Sequence, residues 1–246
     1  MLAAPGDSTN MVYHALRPDC VIIEKPVSSW QLFRRRAKKL GWKTAIGQVA
    51  FRLLIVPWLA FSSRRRIGSI VEQYQLSVAP IPETEIIHVN SVNDDATIRA
   101  LVDAKPDVIL VNGTRIIAER VLKSSRATFL NTHAGITPLY RGVHGGYWAL
   151  ATGDPANCGV TVHVVDPGID TGGIVAQARI RSAPEDNFVT YPYLQLAAAV
   201  PLLKKAVAAA ADGSLQLQSA PPGKSKLWTH PTIGEYLRSW VASGVK

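Results

Sequence analysis

Thr128-Phe129-Leu130-Asn131-Thr132-His133 is an apolar run that turns polar at its end, just before Gly135 and Pro138. In an extended chain, side chains two apart share a face, so Asn131 and His133 project together from the strand's C-terminal end. That end is where open α/β sheets hold their ligands. Outward from this stretch, short apolar runs alternate with helical periodicity, which is the pattern of βαβ units and a mostly parallel sheet. The pattern predicts strands over residues 20–24, 85–89, 108–112, 128–133, 160–165 and 174–180. Helices are predicted over 8–16, 95–104, 118–123, 145–151 and 193–211, the last kinked by Pro201. The expected architecture is α/β, a Rossmann-like, mostly parallel sheet flanked by helices. A catalytic domain over 1–213 is expected to carry a basic helical insertion at about 28–72, and 214–246 to form a short C-terminal extension acting as a helical cap or arm.

The 246 residues suit one large domain, and 47% hydrophobic against 18% charged residues provides material for a core and no sign of disorder. Two cysteines, Cys20 and Cys158, are too few for a disulfide framework and have no metal-ligand spacing. That cysteine count predicts a reducing, cytoplasmic setting and no metal, and the first residues show no basic stretch followed by an apolar one as a secretory signal has. The net charge of +9 is concentrated in one place. Between Glu24 and Glu72 there is no acidic residue, while Lys25, Arg34, Arg35, Arg36, Lys38, Lys39, Lys43, Arg52, Arg64, Arg65 and Arg66 supply eleven cations. Outside them 16 basic residues face 18 acidic ones. The apolar run 53–61 is short of the roughly 20 residues that cross a bilayer, and Pro57 interrupts it.

A second strand, ending in His163-Val164-Val165, feeds the loop Asp166-Pro167-Gly168-Ile169-Asp170-Thr171-Gly172-Gly173. Paired glycines after Asp170 point to backbone that makes a close approach or takes a positive φ. An acid placed there is able to face the Asn131/His133 pair. Each residue has a plainer role available, His133 as a strand-end hydrogen-bonding residue and Asp170 as a turn residue capping N–H groups. Together the three suggest chemistry at one carbonyl.

The stretch 131–142, Asn-Thr-His-Ala-Gly-Ile-Thr-Pro-Leu-Tyr-Arg-Gly, followed by 163–172, His-Val-Val-Asp-Pro-Gly-Ile-Asp-Thr-Gly, resembles the formyltransferases that use 10-formyltetrahydrofolate. That group includes glycinamide ribonucleotide transformylase, methionyl-tRNA formyltransferase and the sugar N-formyltransferases, and the resemblance covers residues 106–213. It implies that Asn131, His133 and Asp170 are catalytic. It implies further that Gly113, Thr114, Arg115, Ile116 and Ile117 form the loop against which the pterin packs, with Val164, Val165, Asp166 and Gly168 closing the other side. Formyl transfer suits these residue types. An amine attacks the formyl carbon and the carbonyl oxygen gains charge, which the Asn131 amide and a His133 N–H are placed to receive. Asp170 is suited to moving the proton and to favouring imidazolium at His133. No covalent intermediate is expected.

Gly6-Asp7-Ser8-Thr9-Asn10 resembles the family's substrate-binding turn, which makes Ser8, Thr9 and Asn10 acceptor-site candidates. Asp7 would repel a phosphate there, and Asp7 or Ser8 as an ordinary N-cap is the competing reading. With five residues before Gly6, the first strand is expected to be stunted, or the true start to lie upstream. Arg141 and His144, with Tyr147 and Trp148 beside them, are further acceptor candidates. The expected acceptor is a small-molecule primary amine, an amino-sugar nucleotide or an envelope-glycan precursor first, glycinamide ribonucleotide second. The length argues against the further C-terminal domain of a methionyl-tRNA formyltransferase and the N-terminal domain of a formyltetrahydrofolate hydrolase. Residues 30–66, in which Trp42, Phe51 and Trp58 interleave with Arg and Lys, suit a peripheral contact with an anionic membrane or an insertion packed on the core with solvated charges. No specific nucleic acid is expected, a homodimer fits the sugar enzymes, and a non-catalytic, membrane-peripheral binding module is the competing class.

Overall fold

The computed structural model describes residues 1–246. Seven strands form the main sheet: β1 Leu2–Ala3, β2 Val21–Glu24, β3 Ile86–Val89, β4 Val108–Asn112, β5 Thr128–His133, β7 Gly159–Val164 and β8 Ile174–Arg179. Their spatial order is β3-β2-β1-β4-β5-β7-β8. The first five pair in parallel, and β7 and β8 close the edge antiparallel. The strand expected to be stunted is β1, two residues at the sheet's centre.

Strand alternation divides the apolar residues between the two faces. Leu110, Leu130 and Val162 point to one side, where helices α1 (Asp7–Leu16) and α9 (Tyr191–Ala211) bury Met11, Val12, Leu196 and Leu203 on them. Ile109, Val111 and Phe129 point to the other, beneath α6 (Asp95–Ala104) and α7 (Glu119–Leu122), where Leu101 and Val121 complete the layer. Pro201 lies exposed within α9, which continues through it for 21 residues.

The basic segment is helical: α2 Ser29–Leu40, α3 Trp42–Ala50, α4 Val56–Ser62 and α5 Arg64–Gln73. A π-helical turn, Phe51–Ile55, joins α3 to α4. Pro57 cannot donate to the carbonyl one α-turn back, and the wider turn before it absorbs the missing bond. One side of this helix packs inward, where Phe51 and Leu59 meet Phe188, Tyr236 and α8 (Gly145–Ala151). Arg66 anchors α5 through a two-pronged bond to buried Asp186, at 2.8 and 3.0 Å.

The C-terminal residues are more than an arm. β9 (Lys226–Trp228) pairs with β6 (Tyr140–Gly142), and α10 (Ile233–Ser243) packs on α3 and α8 under a capping box formed by Thr232 and Glu235. The aromatic layer Tyr140–Trp228–Trp148 ties this sheet down, with ring centroids 6.0 and 4.6 Å apart.

Candidate functional site

A cavity of about 620 Å³ opens at the C-terminal ends of β4 and β5. Asn131, His133 and Asp170 share its wall. β5 supplies the first two through the period-two alternation of an extended chain. Asp170 arrives on a loop braced three ways: Asp166 accepts the Gly168 N–H at 3.0 Å and the Thr171 hydroxyl at 2.8 Å, Arg141 donates to the Ile169 carbonyl at 3.2 Å, and Gly172 comes too close to the Val164 carbonyl to admit a side chain. Asp170 itself takes the left-handed backbone, φ +51°, which an Asp tolerates better than most residues.

The buried His133 ring donates from Nε2 to the Tyr140 carbonyl at 2.6 Å. A carbonyl only accepts, so in the neutral ring Nδ1 is bare, and it stands 3.4 Å from Asp170 Oδ1. Asp170 Oδ2 accepts the Gly142 N–H at 2.8 Å. Burial lowers the pKa of His133 and outweighs the opposing influence of Asp170 and the Tyr140 carbonyl. For Asp170, burial acts upward, but His163, His133 and the Gly142 N–H together hold the carboxyl below its ordinary value. Two expectations are thereby corrected. Imidazolium is disfavoured at His133, because desolvation exceeds the attraction of Asp170. Nor is its N–H free for an oxyanion, since the Tyr140 carbonyl occupies it.

His163 is a site residue to which the motif reading assigned no role. It faces Asn131 across the antiparallel β5–β7 pair, and the Asn131 amide donates to its Nε2 at 3.0 Å. His163 Nδ1 donates to the Val164 carbonyl at 2.8 Å, which leaves Nε2 as the acceptor. The amide is thus oriented with one N–H spent on His163 and the second available to the cavity. The signal lay in the antiparallel register, which the expectation of parallel strands obscured.

Gly113, Thr114, Arg115, Ile116 and Ile117 line one side of the cavity, and Val165, Asp166 and Gly168 the other. Val164 does not; its side chain packs into the core between the sheet and α9, because it alternates with Val165. The loop after β4 is held by buried Glu24, a residue the sequence reading passed over. Glu24 accepts the Arg115 N–H at 2.8 Å and the Val92 N–H at 3.1 Å, and sits 3.0 Å from the Arg115 guanidinium. Glu24→Ala strands those donors. It is expected to weaken binding of a folate analogue by about tenfold or more in calorimetry, and unchanged affinity would show the loop to be held elsewhere.

Of the proposed acceptor residues, Ser8 and His144 line the cavity. Thr9 is buried, donating to Ala4 and accepting from Asn112, and Asn10 turns away to the Val78 carbonyl. Arg141 gives one hydrogen bond to the Asp170 loop and does not line the cavity. Tyr147 and Trp148 are core residues, the Trp148 indole donating to Thr229. The N-cap of α1 is Gly6, with no side-chain cap from Asp7 or Ser8, and Asp7 accepts from the Tyr193 hydroxyl at 2.6 Å.

His230 joins His144 in the cavity wall, their rings sharing a 3.0 Å hydrogen bond. Burial first, then His230 and Arg36, pushes His144 down to about 3. Burial first, then Arg36 and Arg52, pushes His230 down to about 4. The unfolded chain protonates both near 6.5 while the folded chain does not, so stability is constant above that value and falls as pH drops toward 4. The slope reaches up to about 1.4 kcal/mol per pH unit for each imidazole. Urea midpoints at pH 7 and pH 5 should differ accordingly, and equal midpoints would contradict the burial of this pair.

A family model described as formyl transferase matches residues 64–196. A methionyl-tRNA formyltransferase of Chlorobium chlorochromatii (strain CaD3) is 36% identical over 99 residues, 40% of this chain and 31% of that protein. The chain spans about a third of the length of the methionyl-tRNA formyltransferases it matches. Among solved structures, glycinamide ribonucleotide transformylase 1 from Symbiobacterium toebii superposes with a TM-score of 0.55 at 16% identity, covering 89% of this chain and 90% of that one. A sugar N-formyltransferase from Shewanella sp FDAARGOS_354 gives 0.50 at 15% identity, over 72% and 74%. These two share the fold. The family match covers more than half of the residues and takes in both strands that frame the cavity, so the chain belongs to the formyl transferase family.

Proposed function

We propose that this protein transfers the formyl group of 10-formyltetrahydrofolate to a primary amine on an amino-sugar nucleotide or envelope-glycan precursor. The observation that carries the reading is the convergence of Asn131, His133 and Asp170 on one cavity between the loop 113–117 and the acceptor end at Ser8, His144 and His230. The donor's pterin fits between residues 113–117 and 165–168, where backbone and Ile117 form the walls and Gly113, at φ +67°, keeps the approach open. When bound there, it supplies an activated formyl carbon.

In this reading the free N–H of Asn131 meets the formyl oxygen as it gains negative charge. The attacking amine becomes cationic and must lose a proton. His133 Nδ1, bare and beside anionic Asp170, receives it, and the resulting imidazolium has both N–H groups partnered, one by Tyr140 and one by Asp170. The same proton is then available to the departing folate nitrogen. Glycinamide ribonucleotide ranks second as acceptor. The test is incubation with 10-formyltetrahydrofolate and a panel of amino-sugar nucleotides and glycinamide ribonucleotide, with tetrahydrofolate release and product mass as readouts. An N-formylated sugar supports the reading. Folate binding without turnover on any amine would favour a binding module that kept the fold.

A further inference from the structure

The helix Trp42–Ser62 is apolar on two opposite sides, and only one is covered. Ala45, Gln48, Phe51 and Leu59 are buried against the body of the protein. Trp42, Ile46, Val49, Leu53, Trp58 and Phe61 recur at intervals of three to five, the five falling at the wider π-helical turn, and face solvent on the other side. Trp30, on α2, continues the patch through Phe33, whose ring lies 5.7 Å from Trp30 and 5.4 Å from Trp42. Trp30, Trp42, Leu53, Leu54 and Phe61 each leave 60% or more of their surface exposed. A contiguous face of this kind is uncommon on a protein that nothing covers.

Its surroundings say what covers it. Arg34, Arg35, Lys38, Lys39, Lys43 and Arg52 on these helices, and Arg64 and Arg65 at the start of α5, are exposed, and none has a carboxylate within 4.0 Å. Arg66, which does have partners, is turned inward to Asp186. We propose that α2 and the outer side of the Trp42–Ser62 helix form a docking face for an anionic lipid surface, lying in its plane with the aromatic and aliphatic side chains sunk among the acyl chains and the cations at the headgroups.

The geometry favours this occupant over the others. A second copy of the chain, packed face to face by a two-fold axis, would bring the same eight cations against themselves. Nucleic acid would satisfy the charges and leave Ile46, Leu53 and Leu54 without partners. Crossing the bilayer, for which the helix is long and apolar enough, would strip Phe51 and Leu59 from the core and break the bond from Gln48 to the His230 carbonyl at 2.7 Å. That last bond, from the covered side, ties the docking helix to His230 in the cavity wall. The lipid contact stands independently of which amine is formylated.

Flotation of the full chain with vesicles tests it, using phosphatidylglycerol-rich vesicles and vesicles of phosphatidylcholine alone. The protein is expected to float with the former, about tenfold or more better than with the latter, and the difference is expected to shrink as salt is raised. The tryptophan emission should shift to the blue on binding. The Leu53→Glu/Trp58→Glu variant, both positions being exposed, is expected to keep its circular dichroism and lose flotation. Replacing Arg34, Arg35, Lys38 and Lys39 by serine is expected to remove the preference for the anionic vesicles. Protein that stays with the supernatant at low salt overturns the proposal, as does flotation that survives Leu53→Glu/Trp58→Glu. So does a concentration-dependent dimer that this variant dissolves in the absence of lipid, or retention on nucleic acid by protein that ignores the vesicles.

Discussion

Asp170→Asn is expected to lower turnover by ~10³-fold while leaving folate binding within about twofold of the parent. The substitution keeps the shape of the side chain, and an amide oxygen can still accept the Gly142 N–H that Asp170 accepts at 2.8 Å. What is lost is the negative charge 3.4 Å from the bare Nδ1 of His133. Without it, a proton delivered to His133 has no counter-charge inside a desolvated wall, and the imidazole becomes a poorer base. The pH profile separates this loss from simple misfolding. Burial lowers the pKa of His133, and Asp170 is the first of the influences that oppose it. In the parent, the acid limb of kcat/KM therefore falls below the ordinary histidine value of 6.5. Removing the charge should move that limb lower still, and a limb that stays in place, or turnover within about tenfold of the parent, would sink the assignment of proton transfer to this pair.

The elements that frame the cavity are the ones most legible in the sequence. β4 and β5 occur where predicted because each is a short apolar run covered on both faces, so hydrophobicity alone marks its ends. α6 and α8 were bounded equally well. β6 and β9 carry three residues apiece, too few to show any period, and their pairing joins residues 140–142 to 226–228 across most of the C-terminal half. That pairing is what brings His230, two residues past β9, to the cavity. The basic segment was legible as helical but not as two-sided. Its apolar residues fit both a packed insertion and a surface contact; the structure buries one side of the helix and leaves the other exposed.

The site was legible as to which residues meet, and less so as to what each is free to do. Asn131, His133 and Asp170 do share a wall. The state of His133 depends on a carbonyl seven residues away, that of Tyr140, and residue type cannot show that an N–H is already engaged. Thr9 and Asn10 stay out of the cavity lining for a similar reason. On α1 only one side faces the cavity, and consecutive positions are about 100° apart, so Ser8 faces it while the two residues after it point elsewhere. Arg141 reaches the Ile169 carbonyl of the Asp170 loop instead of the cavity.

Gly135→Ala is expected to cost about 2–3 kcal/mol of stability and to reduce turnover by about 10²-fold in whatever protein still folds. A methyl group at residue 135 would stand 2.5 Å from the Tyr140 carbonyl oxygen, 2.8 Å from His133 Nε2 and 3.1 Å from Gly145 Cα. Two of these neighbours are backbone, and the third is a ring fixed by its own bond to that carbonyl, so none can swing aside. The loop cannot retreat as a whole either. The Thr161 hydroxyl, rising from β7, donates to the Gly135 carbonyl at 2.8 Å and accepts from the Thr137 N–H at 3.1 Å. Relief must come from parting His133 and Tyr140, which frees the imidazole to rotate and removes the reason Nδ1 is the bare nitrogen. Gly68→Ala provides the contrast: an added methyl meets nothing within 4 Å on exposed α5, and a helix interior favours alanine over glycine by roughly 0.5–1 kcal/mol. Chemical unfolding of the two variants beside the parent, with turnover measured on each, decides the matter. If Gly135→Ala unfolds at the parent's midpoint, or keeps the parent's turnover, the close approach of these three groups is not what holds His133 in register with Asp170.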